Sequence, residues 1–286
     1  MKSVKKILAL IMVLAMTVAF AACGGSDDSS SQKVKLINIA LTEEEYAYGV
    51  NKDEPELLAQ LNDFVKKSKE DGTLEEIMNH YFGDGTPVGV ELGTEDSAKD
   101  QLIIATNCEF APFEYLDGSL AYGVDMEMMK AFADSLGKEL VIKNMEFDSV
   151  LTFIDAGYGD VAATGLTKNE DREKYVTFSD SYYDANQMII VKESDTRFDN
   201  CKTLADVEEV LNGLDSSTKI GAQNGTTGKL YIEGDEGFGF AGLKATAMGY
   251  SNGALAVQDM LNGNIDFVII DEAPAKSLVE KYNAVA

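Results

Sequence analysis

Four residues in the second half of this 286-residue chain combine polar chemistry with the ends of predicted helices and strands. Arg172 falls on a short predicted helix, and its planar guanidinium suits a carboxylate. Thr226 and Thr227 open another predicted helix, whose free backbone N–H groups and dipole attract an anion. Asp271 ends a predicted strand, where ligands lie in open α/β sheets. Together they indicate a noncovalent site for a small charged molecule.

Each of these residues also has a purely structural interpretation. Arg172 has Glu170 and Glu173 beside it as possible surface ion-pair partners. Asp271 precedes a predicted helix that it would cap, and Thr226 caps a helix in either interpretation. The four residues therefore need a wider sequence context to be assigned.

The composition argues against most catalytic chemistry. Beyond Cys23 the chain has two cysteines, Cys108 and Cys201, and its single histidine is His80. The chain has too few histidines and cysteines for a zinc site or a histidine-based triad. A disulfide framework is not expected either. The formal net charge of −25 makes nucleic acid and anionic membrane surfaces poor partners. We expect no catalytic residue, no metal and no cofactor.

The N-terminus has the pattern of an exported protein. A basic start is followed by an apolar run over residues 7–22, which is too short for a stable membrane span and is typical of a secretory signal peptide. Small residues precede Cys23, and this resembles the lipoprotein signal, in which the new N-terminal cysteine carries lipid. An ordinary signal peptide is the alternative. Residues 24–31 read as a flexible tether.

From Gln101 to the C-terminus, predicted strands and helices alternate, which favours an α/β fold with parallel, helix-covered sheets, two of them in a chain of this length. Residues 34–83 differ: two short predicted strands precede two helices, the first over residues 56–67 with Pro55 at its first turn. Residues 73–76 match a capping box for the second helix. Asp148 is predicted to cap a further helix.

A series of motifs runs through the chain in a fixed order: residues 105–115 (ATNCEFAPFEY), 123–125 (GVD), 164–167 (TGLT) with Arg172, 178–183 (FSDSYY), 225–227 (GTT), and Asp266 with Asp271. Taken together and in this order, they resemble the polar-amino-acid substrate-binding proteins of ABC importers, solute-binding protein family 3. The resemblance implies a type 2 periplasmic-binding-protein fold, with two doubly wound lobes and a ligand cleft between them. It also implies capture of a free amino acid by lobe closure, delivery to a permease, and an extracytoplasmic monomer, lipid-anchored to the outer face of the cell membrane.

The order of segments departs from that family. Its members continue, after the helix that ends this chain, with a strand, a return crossing and two lobe 1 helices. Residues 34–83 resemble those missing pieces but stand at the front, so we expect a natural circular permutation. The expected division is a signal peptide (1–22), the lipidated Cys23 and tether (23–33), a permuted lobe 2 strand (34–42), permuted lobe 1 helices (43–83), a linker (84–100), lobe 1 (101–188) and lobe 2 (189–286).

The resemblance assigns roles to residues of both lobes. It places the ligand carboxylate on Arg172 and the backbone N–H of Thr227. It places the ammonium on Asp271, the Gly165 carbonyl and the Thr167 hydroxyl. The other ligand-binding positions that it implies are Asn107, Phe110, Phe147, Thr164, Gln223 and Thr226.

The preference for one amino acid over another is predicted from Asn107 and Gln223, the two distal positions, which match positions that can reach the far end of the ligand's side chain. Asn107 and Gln223 are both neutral, whereas a cationic ligand would favour a carboxylate at 107 and an anionic one a base near 223. This favours a neutral polar amino acid. Glu109 leaves a cationic ligand open if it points inward, and solvent exposure is the alternative. Cys108 is expected to be a small buried residue.

Two other functions occur on this fold. A cyclohexadienyl dehydratase-like enzyme needs a general acid in the cleft, and only Glu109 is spare. A ligand-sensing domain needs a downstream membrane segment, which this sequence does not show. Since fold alone does not fix function, we expect a binding protein on the strength of the site residues.

Overall fold

The computed structural model describes residues 33–284. Its strands are β1 Val34–Ile37, β2 Glu44–Tyr46, β3 Gly49–Asn51, β4 Val90–Glu91, β5 Gln101–Thr106, β6 Glu109–Phe110, β7 Glu114–Asp117, β8 Leu120–Tyr122, β9 Glu139–Asn144, β10 Val161–Ala162, β11 Val176–Phe178, β12 Tyr183–Ala185, β13 Gln187–Lys192, β14 Lys219–Gln223, β15 Thr246–Tyr250 and β16 Phe267–Asp271. Its helices are α1 Pro55–Asp71, α2 Thr73–Phe82, α3 Val124–Leu136, α4 Phe147–Asp155, α5 Leu204–Asn212, α6 Thr227–Glu233, α7 Gly253–Leu261 and α8 Glu272–Ala284. A short 3-10 helix spans Arg172–Lys174.

Ten of the sixteen strands form two five-stranded sheets, each the centre of one lobe. Four others form a smaller antiparallel sheet in the order β4-β8-β7-β6, and β2 pairs with β12. The lobe 1 sheet has the order β11-β3-β10-β5-β9, in which β3 runs antiparallel to both neighbours. Helices α3 and α4 pack on it, and α1 contacts β3. Its central strands are apolar and buried, because helices cover them. Lobe 1 therefore draws strand β3 from the front of the chain.

The lobe 2 sheet has the order β1-β13-β16-β14-β15, and β13 is its antiparallel member. Helices α6, α7 and α8 pack against this sheet. Strand β1 lies at its edge, next to the end of α8, and the Asn283 side chain bonds both the N–H and the C=O of Val34, at 3.0 and 2.9 Å. The first and last described elements are therefore neighbours in lobe 2.

Two strands connect the lobes. Strand β2 leads from lobe 2 to lobe 1, β12 leads back, and they pair antiparallel with Tyr46 opposite Tyr183. Buried aromatic rings hold this hinge: Tyr48 stacks on Tyr182 with centroids 4.4 Å apart, and Tyr46 packs edge-on against Phe113. Such pairs contribute about 0.5–1.5 kcal/mol each beyond burial. The hinge is thus a packed two-stranded ribbon.

Most predicted elements are present, and two predicted caps are wrong. Thr73 lies inside α2, and Gly72 takes the cap position with φ +87° and no side-chain cap bond. Thr73 instead donates to Asp71 at 2.6 Å. Asp148 lies in the first turn of α4, whose cap residue is Glu146. Within residues 33–284, no helix is both long and apolar enough to cross a membrane.

Candidate functional site

Arg172 is buried where the two lobes meet, with only 6% of its surface exposed. Its Nη1 donates to the Thr167 carbonyl at 2.6 Å, and its Nη2 reaches across to the Gly225 carbonyl of lobe 2 at 3.1 Å. The guanidinium lies between the rings of Phe147 and Phe238, at 5.6 and 5.7 Å from their centroids. Burial lowers the pKa of Arg172, while nearby carboxylates oppose that shift. The Arg172 guanidinium is therefore a positively charged group fixed in a desolvated site, and its planar shape suits a carboxylate.

Asp271 lies opposite, at the end of β16 in lobe 2, and is also buried. Its Oδ1 accepts from the Tyr46 hydroxyl at 2.6 Å. Burial, and next the charge of Glu44, raise the pKa of Asp271, and the Tyr46 bond opposes the rise. A cation bound beside Asp271 would stabilise its ionised form.

The segment 164–167 supports the cleft from lobe 1. The Thr164 hydroxyl accepts from the Asn107 N–H and donates to Glu114. Gly165 has φ +51°, and a Cβ there would lie 2.9 Å from the Phe110 ring, so only glycine fits without a shift. Its N–H donates to Asp125 at 2.8 Å. This leaves its carbonyl and the Thr167 side chain as the acceptors that the segment offers.

The lobe 2 loop before α6 supplies the opposing wall. Thr226 and Thr227 are buried there, and Thr226 donates its hydroxyl to the Gln223 carbonyl at 2.8 Å. The Thr227 N–H, as the first in α6, has no acceptor within the helix. The Gln223 amide crosses the cleft and donates to Asn107 Oδ1 at 2.9 Å. The two distal positions therefore meet directly.

Two aromatic positions differ in their roles. Phe110 is buried and closes the cleft against Gly165. Phe147 begins α4, is half-buried, and covers Arg172 while facing the Gly225 backbone. Phe147 therefore touches both lobes, Phe110 packs against Gly165 within lobe 1, and their contact with a ligand stays a prediction.

Glu109 and Cys108 lie outside the ligand-facing set. Glu109 is exposed, and its carboxylate accepts from the Asn252 side chain at the start of α7. It links the two lobes at the rim of the cleft. Burial raises the pKa of the Cys108 thiol to about 12, so this cysteine has little thiolate. Cys23 and the predicted signal peptide lie outside the described residues.

Sequence reasoning missed four residues of the site: Glu44, Tyr46, Gln187 and Phe238. Glu44 and Tyr46 come from β2, Gln187 begins β13, and Phe238 covers Arg172 from an irregular lobe 2 segment. Glu44 is buried and accepts from the Thr167 hydroxyl at 2.7 Å. The signal for β2 was its resemblance to a family crossing strand, but that resemblance carried no residue roles.

Taken together, two α/β lobes joined by two crossing strands, with Arg172 of lobe 1 and Asp271 of lobe 2 both buried, define the class of two-lobed binding proteins. Comparison with known proteins shows which family within this class the chain resembles. The family model for bacterial extracellular solute-binding proteins, family 3, matches residues 102–233. A solved truncated, arginine-bound ArgBP from T. maritima is 32% identical with a TM-score of 0.53, over 64% of this chain and 78% of that one. The chain belongs to the family 3 extracellular solute-binding proteins.

Two further relatives bear on its ligand. The arginine-binding extracellular protein ArtP of Bacillus subtilis is 37% identical over 108 residues, or 38% of this chain and 42% of that protein. The chain thus spans less than half of this curated relative. A solved ancestral amino acid-binding protein, AncCDT-1, described as a precursor of cyclohexadienyl dehydratase, is 25% identical over 73% of this chain and 78% of that one, with a TM-score of 0.54. Amino acid binding is the common theme.

Proposed function

We propose that the protein captures a free L-amino acid between its lobes and delivers it to the permease of an ABC importer. The observation that carries this is the buried pair of Arg172 on lobe 1 and Asp271 on lobe 2, which face the same cleft. Arg172 and the Thr227 N–H would hold the carboxylate. Asp271, the Gly165 carbonyl and the Thr167 hydroxyl would hold the ammonium. A ligand bridging both lobes then favours closure.

The distal end favours a neutral polar side chain. Asn107 Nδ2 donates to the Met145 carbonyl, and its Oδ1 accepts from Gln223, so both of its polar atoms are engaged. Gln223 Oε1 is buried and has no partner among the described residues. That atom would accept from an N–H or O–H at the end of the ligand, as in L-glutamine. L-arginine is the competing ligand, because relatives are named for it.

A thermal-shift screen against the twenty L-amino acids, followed by calorimetry, tests this proposal. The true ligand raises the melting temperature by mass action, which adds about 2.7 kcal/mol of stability at a concentration of 100 Kd. L-glutamine or L-asparagine should give the largest shift, and Arg172→Ala should abolish it. If no amino acid shifts the wild type, capture of amino acids is excluded. A larger shift with L-arginine overturns the neutral preference alone.

Binding without catalysis is the second part of the proposal. The alternative, a cyclohexadienyl dehydratase-like activity, draws on the likeness to AncCDT-1. It needs a general acid free to reach the substrate. Besides Asp271, the site has two acids, and hydrogen bonds engage both: Glu44 accepts from Thr42, Thr167 and Gln187, and the Glu109 carboxylate accepts from Asn252 at the rim. Product formation from a cyclohexadienyl acid by the purified protein would overturn this part.

We further propose that the chain is a circular permutation of its family. Lobe 2 is completed by β1 from the chain's front, at the edge beside the end of α8. Lobe 1 takes β3, α1 and α2 from the same front segment. Family members have these pieces at the other end of the chain. Two hydrogen bonds between Asn283 and Val34 keep these residues adjacent. In a family member without the permutation, the chain would run from α8 into β1 at this point.

A rearranged gene tests the permutation. It would encode residues 101–286 joined to residues 33–83, so that the family order is restored and the linker 84–100 is omitted. We expect this protein to fold, bind the same amino acid and melt within several degrees of the wild type. A control gene has the same rearranged order and a Gly-Ser insertion in the middle of α3. This control protein should fail to fold. Failure of the restored order while the wild type folds would contradict the permutation.

We also propose that the chain is a monomer held at the outer face of the membrane by lipid on Cys23. The support is the resemblance of residues 20–23 to the lipoprotein signal. One acyl group alone binds membranes weakly, and stable anchoring takes more than one chain. Membrane fractionation of the full chain tests the anchor, and light scattering of the mature domain tests the monomer.

A further inference from the structure

Strand β2 carries two buried polar side chains that contact two of the three groups proposed to hold the ligand ammonium. Glu44 Oε2 accepts from the Thr167 hydroxyl at 2.7 Å. The Tyr46 hydroxyl donates to Asp271 Oδ1 at 2.6 Å. Thr167 belongs to lobe 1 and Asp271 to lobe 2. One crossing strand therefore reaches one ammonium acceptor in each lobe.

Glu44 is held in place by hydrogen bonds to both of its oxygens. Its Oε1 accepts from the Thr42 hydroxyl at 2.6 Å and from the Gln187 amide at 3.0 Å. Gln187 also lies beside Asp271, its register partner across β13 and β16. A buried carboxylate is costly unless such donors satisfy it. Glu44 thus links the acceptor in lobe 1 to the one in lobe 2 through Gln187.

We propose that Glu44 and Tyr46 are positioning residues that orient the ammonium site from the hinge. This inference rests on the proposed amino acid capture. A threonine hydroxyl has one hydrogen and two lone pairs, and an ammonium has three donors and no acceptor. Because the Thr167 hydrogen is committed to Glu44, a lone pair of Oγ1 is available to the ligand.

Tyr46 acts in the same way on lobe 2. Its hydroxyl donates to Oδ1 of Asp271 and favours the ionised carboxylate, which is the form that accepts from an ammonium. Both residues lie on β2, one of the two strands that connect the lobes. The hinge would therefore present both acceptors in the correct orientation before ligand arrives, which reduces the entropy lost on binding.

The substitution Glu44→Gln tests the lobe 1 half. The introduced amide has one oxygen, which the Thr42 and Gln187 donors would retain, so its NH₂ would face Thr167 and reverse the hydroxyl. Calorimetry with L-glutamine, or L-arginine if the wild type takes that, should show binding weakened by about tenfold. Glu43→Gln, the same charge change at an exposed neighbour, should bind like the wild type.

A double-mutant cycle separates positioning from general destabilisation. If Glu44 acts through the Thr167 hydroxyl, then Glu44→Gln should cost less than about twofold once Thr167→Val has removed that hydroxyl. Independent effects, in which the tenfold loss persists in the Thr167→Val background, would overturn the inference. Melting curves of each variant show which proteins are folded.

Tyr46→Phe tests the lobe 2 half and remains informative if Glu44→Gln fails to fold. Losing the hydroxyl raises the pKa of Asp271, so protons compete better with the ammonium at low pH. The ratio of affinities at pH 8 and pH 6 should exceed that of the wild type by up to about tenfold. Tyr183→Phe, on the paired strand, is the control. The titratable groups near Asp271 are Glu44, Tyr46, Glu114, Arg172 and Tyr183. Tyr183 serves as the control because its raised pKa keeps it neutral between pH 6 and 8, and the hydrogen bond to Asp271 comes from Tyr46.

The outcomes are distinguishable from failure of the proposed function. If the wild type binds none of the twenty amino acids, the function and this inference both fail. If the wild type binds and Arg172→Ala does not, but Glu44→Gln matches Glu43→Gln and Tyr46→Phe matches Tyr183→Phe, the inference alone is wrong.

Discussion

Asn107 Oδ1 accepts a hydrogen bond from Gln223 Nε2 over 2.9 Å, and this bond joins lobe 1 to lobe 2 at the distal end of the cleft. Both side chains are buried. The Asn107 amide nitrogen is already held by the Met145 carbonyl, so its orientation is fixed. In the proposed function, contact between the lobes and recognition of the ligand's far end would therefore involve the same two residues.

The substitution Asn107→Asp should move the ligand preference toward cations. It places a carboxylate at the distal end and sets one of its oxygens against the Met145 carbonyl. We expect L-glutamine to bind about tenfold more weakly and the ratio of arginine to glutamine affinity to rise by about tenfold or more. Calorimetry with both ligands measures this. Asn212→Asp, which adds the same charge on the exposed end of α5, should leave the ratio unchanged. An unaltered preference in Asn107→Asp would remove Asn107 from the distal site.

The substitution Arg172→Ala should weaken binding most. Removing one partner of a desolvated charge pair costs about 2–5 kcal/mol. At about 1.4 kcal/mol per tenfold, that is roughly 30-fold to several-thousand-fold in Kd. Arg172→Lys should also bind poorly, because lysine keeps the charge but loses the fork that spans the Thr167 and Gly225 carbonyls. Arg197→Lys, distant from the cleft, is the matched control. Full binding by Arg172→Lys would mean that charge alone is recognised.

The sequence allowed a prediction only of those site residues that lie in contiguous motifs. Arg172 and Asp271 each stand beside the element end that places them, so the local sequence suggested them, and the family resemblance then assigned their roles and added Gly165. Tyr46 was not found in this way, because it lies 225 positions from Asp271 and only the fold brings the two together. Phe238 lies in an irregular segment with no periodicity to mark it.

The same limit applies to the fold. Strongly patterned helices such as α3 were predicted from spacing, since their apolar face is buried. The cap at Thr73 was misassigned because Gly72, in the left-handed region, links α1 directly to α2 and takes the cap position. Two-residue strands such as β4 and β6 are too short for a pattern. Their identity comes from the neighbours they pair with, which the local sequence does not contain.

The substitution Cys23→Ser should release the protein from the membrane. The proposed lipid on this cysteine supplies the membrane affinity, and serine cannot accept it in thioether linkage. Immunoblots of membrane and medium fractions measure the distribution. Cys201→Ser, which removes a partly exposed thiol from the folded domain, is the control and should stay with the membrane. Equal membrane fractions for Cys23→Ser and the wild type would exclude this anchor.

Stability should fall as pH rises from 5 to 8, and Asp125 should cause part of the fall. Burial raises its pKa to about 7 from an ordinary 3.8, against the opposing bond from the Gly165 N–H and the nearby Tyr48 and Tyr182 hydroxyls. Between these values the folded protein holds a proton that the unfolded chain has lost, so this stabilisation is complete below pH 4 and is lost as pH rises through 7. Its size is on the order of 4 kcal/mol at about 1.4 kcal/mol per pKa unit. Buried Glu114, whose pKa is also raised, acts in the same direction.

Urea unfolding at pH 5, 6, 7 and 8 measures this effect. The free energy of unfolding should decline less steeply with pH for Asp125→Asn, which cannot ionise, while exposed Asp117→Asn follows the wild type. Parallel declines in all three proteins would show that Asp125 is ionised throughout this range.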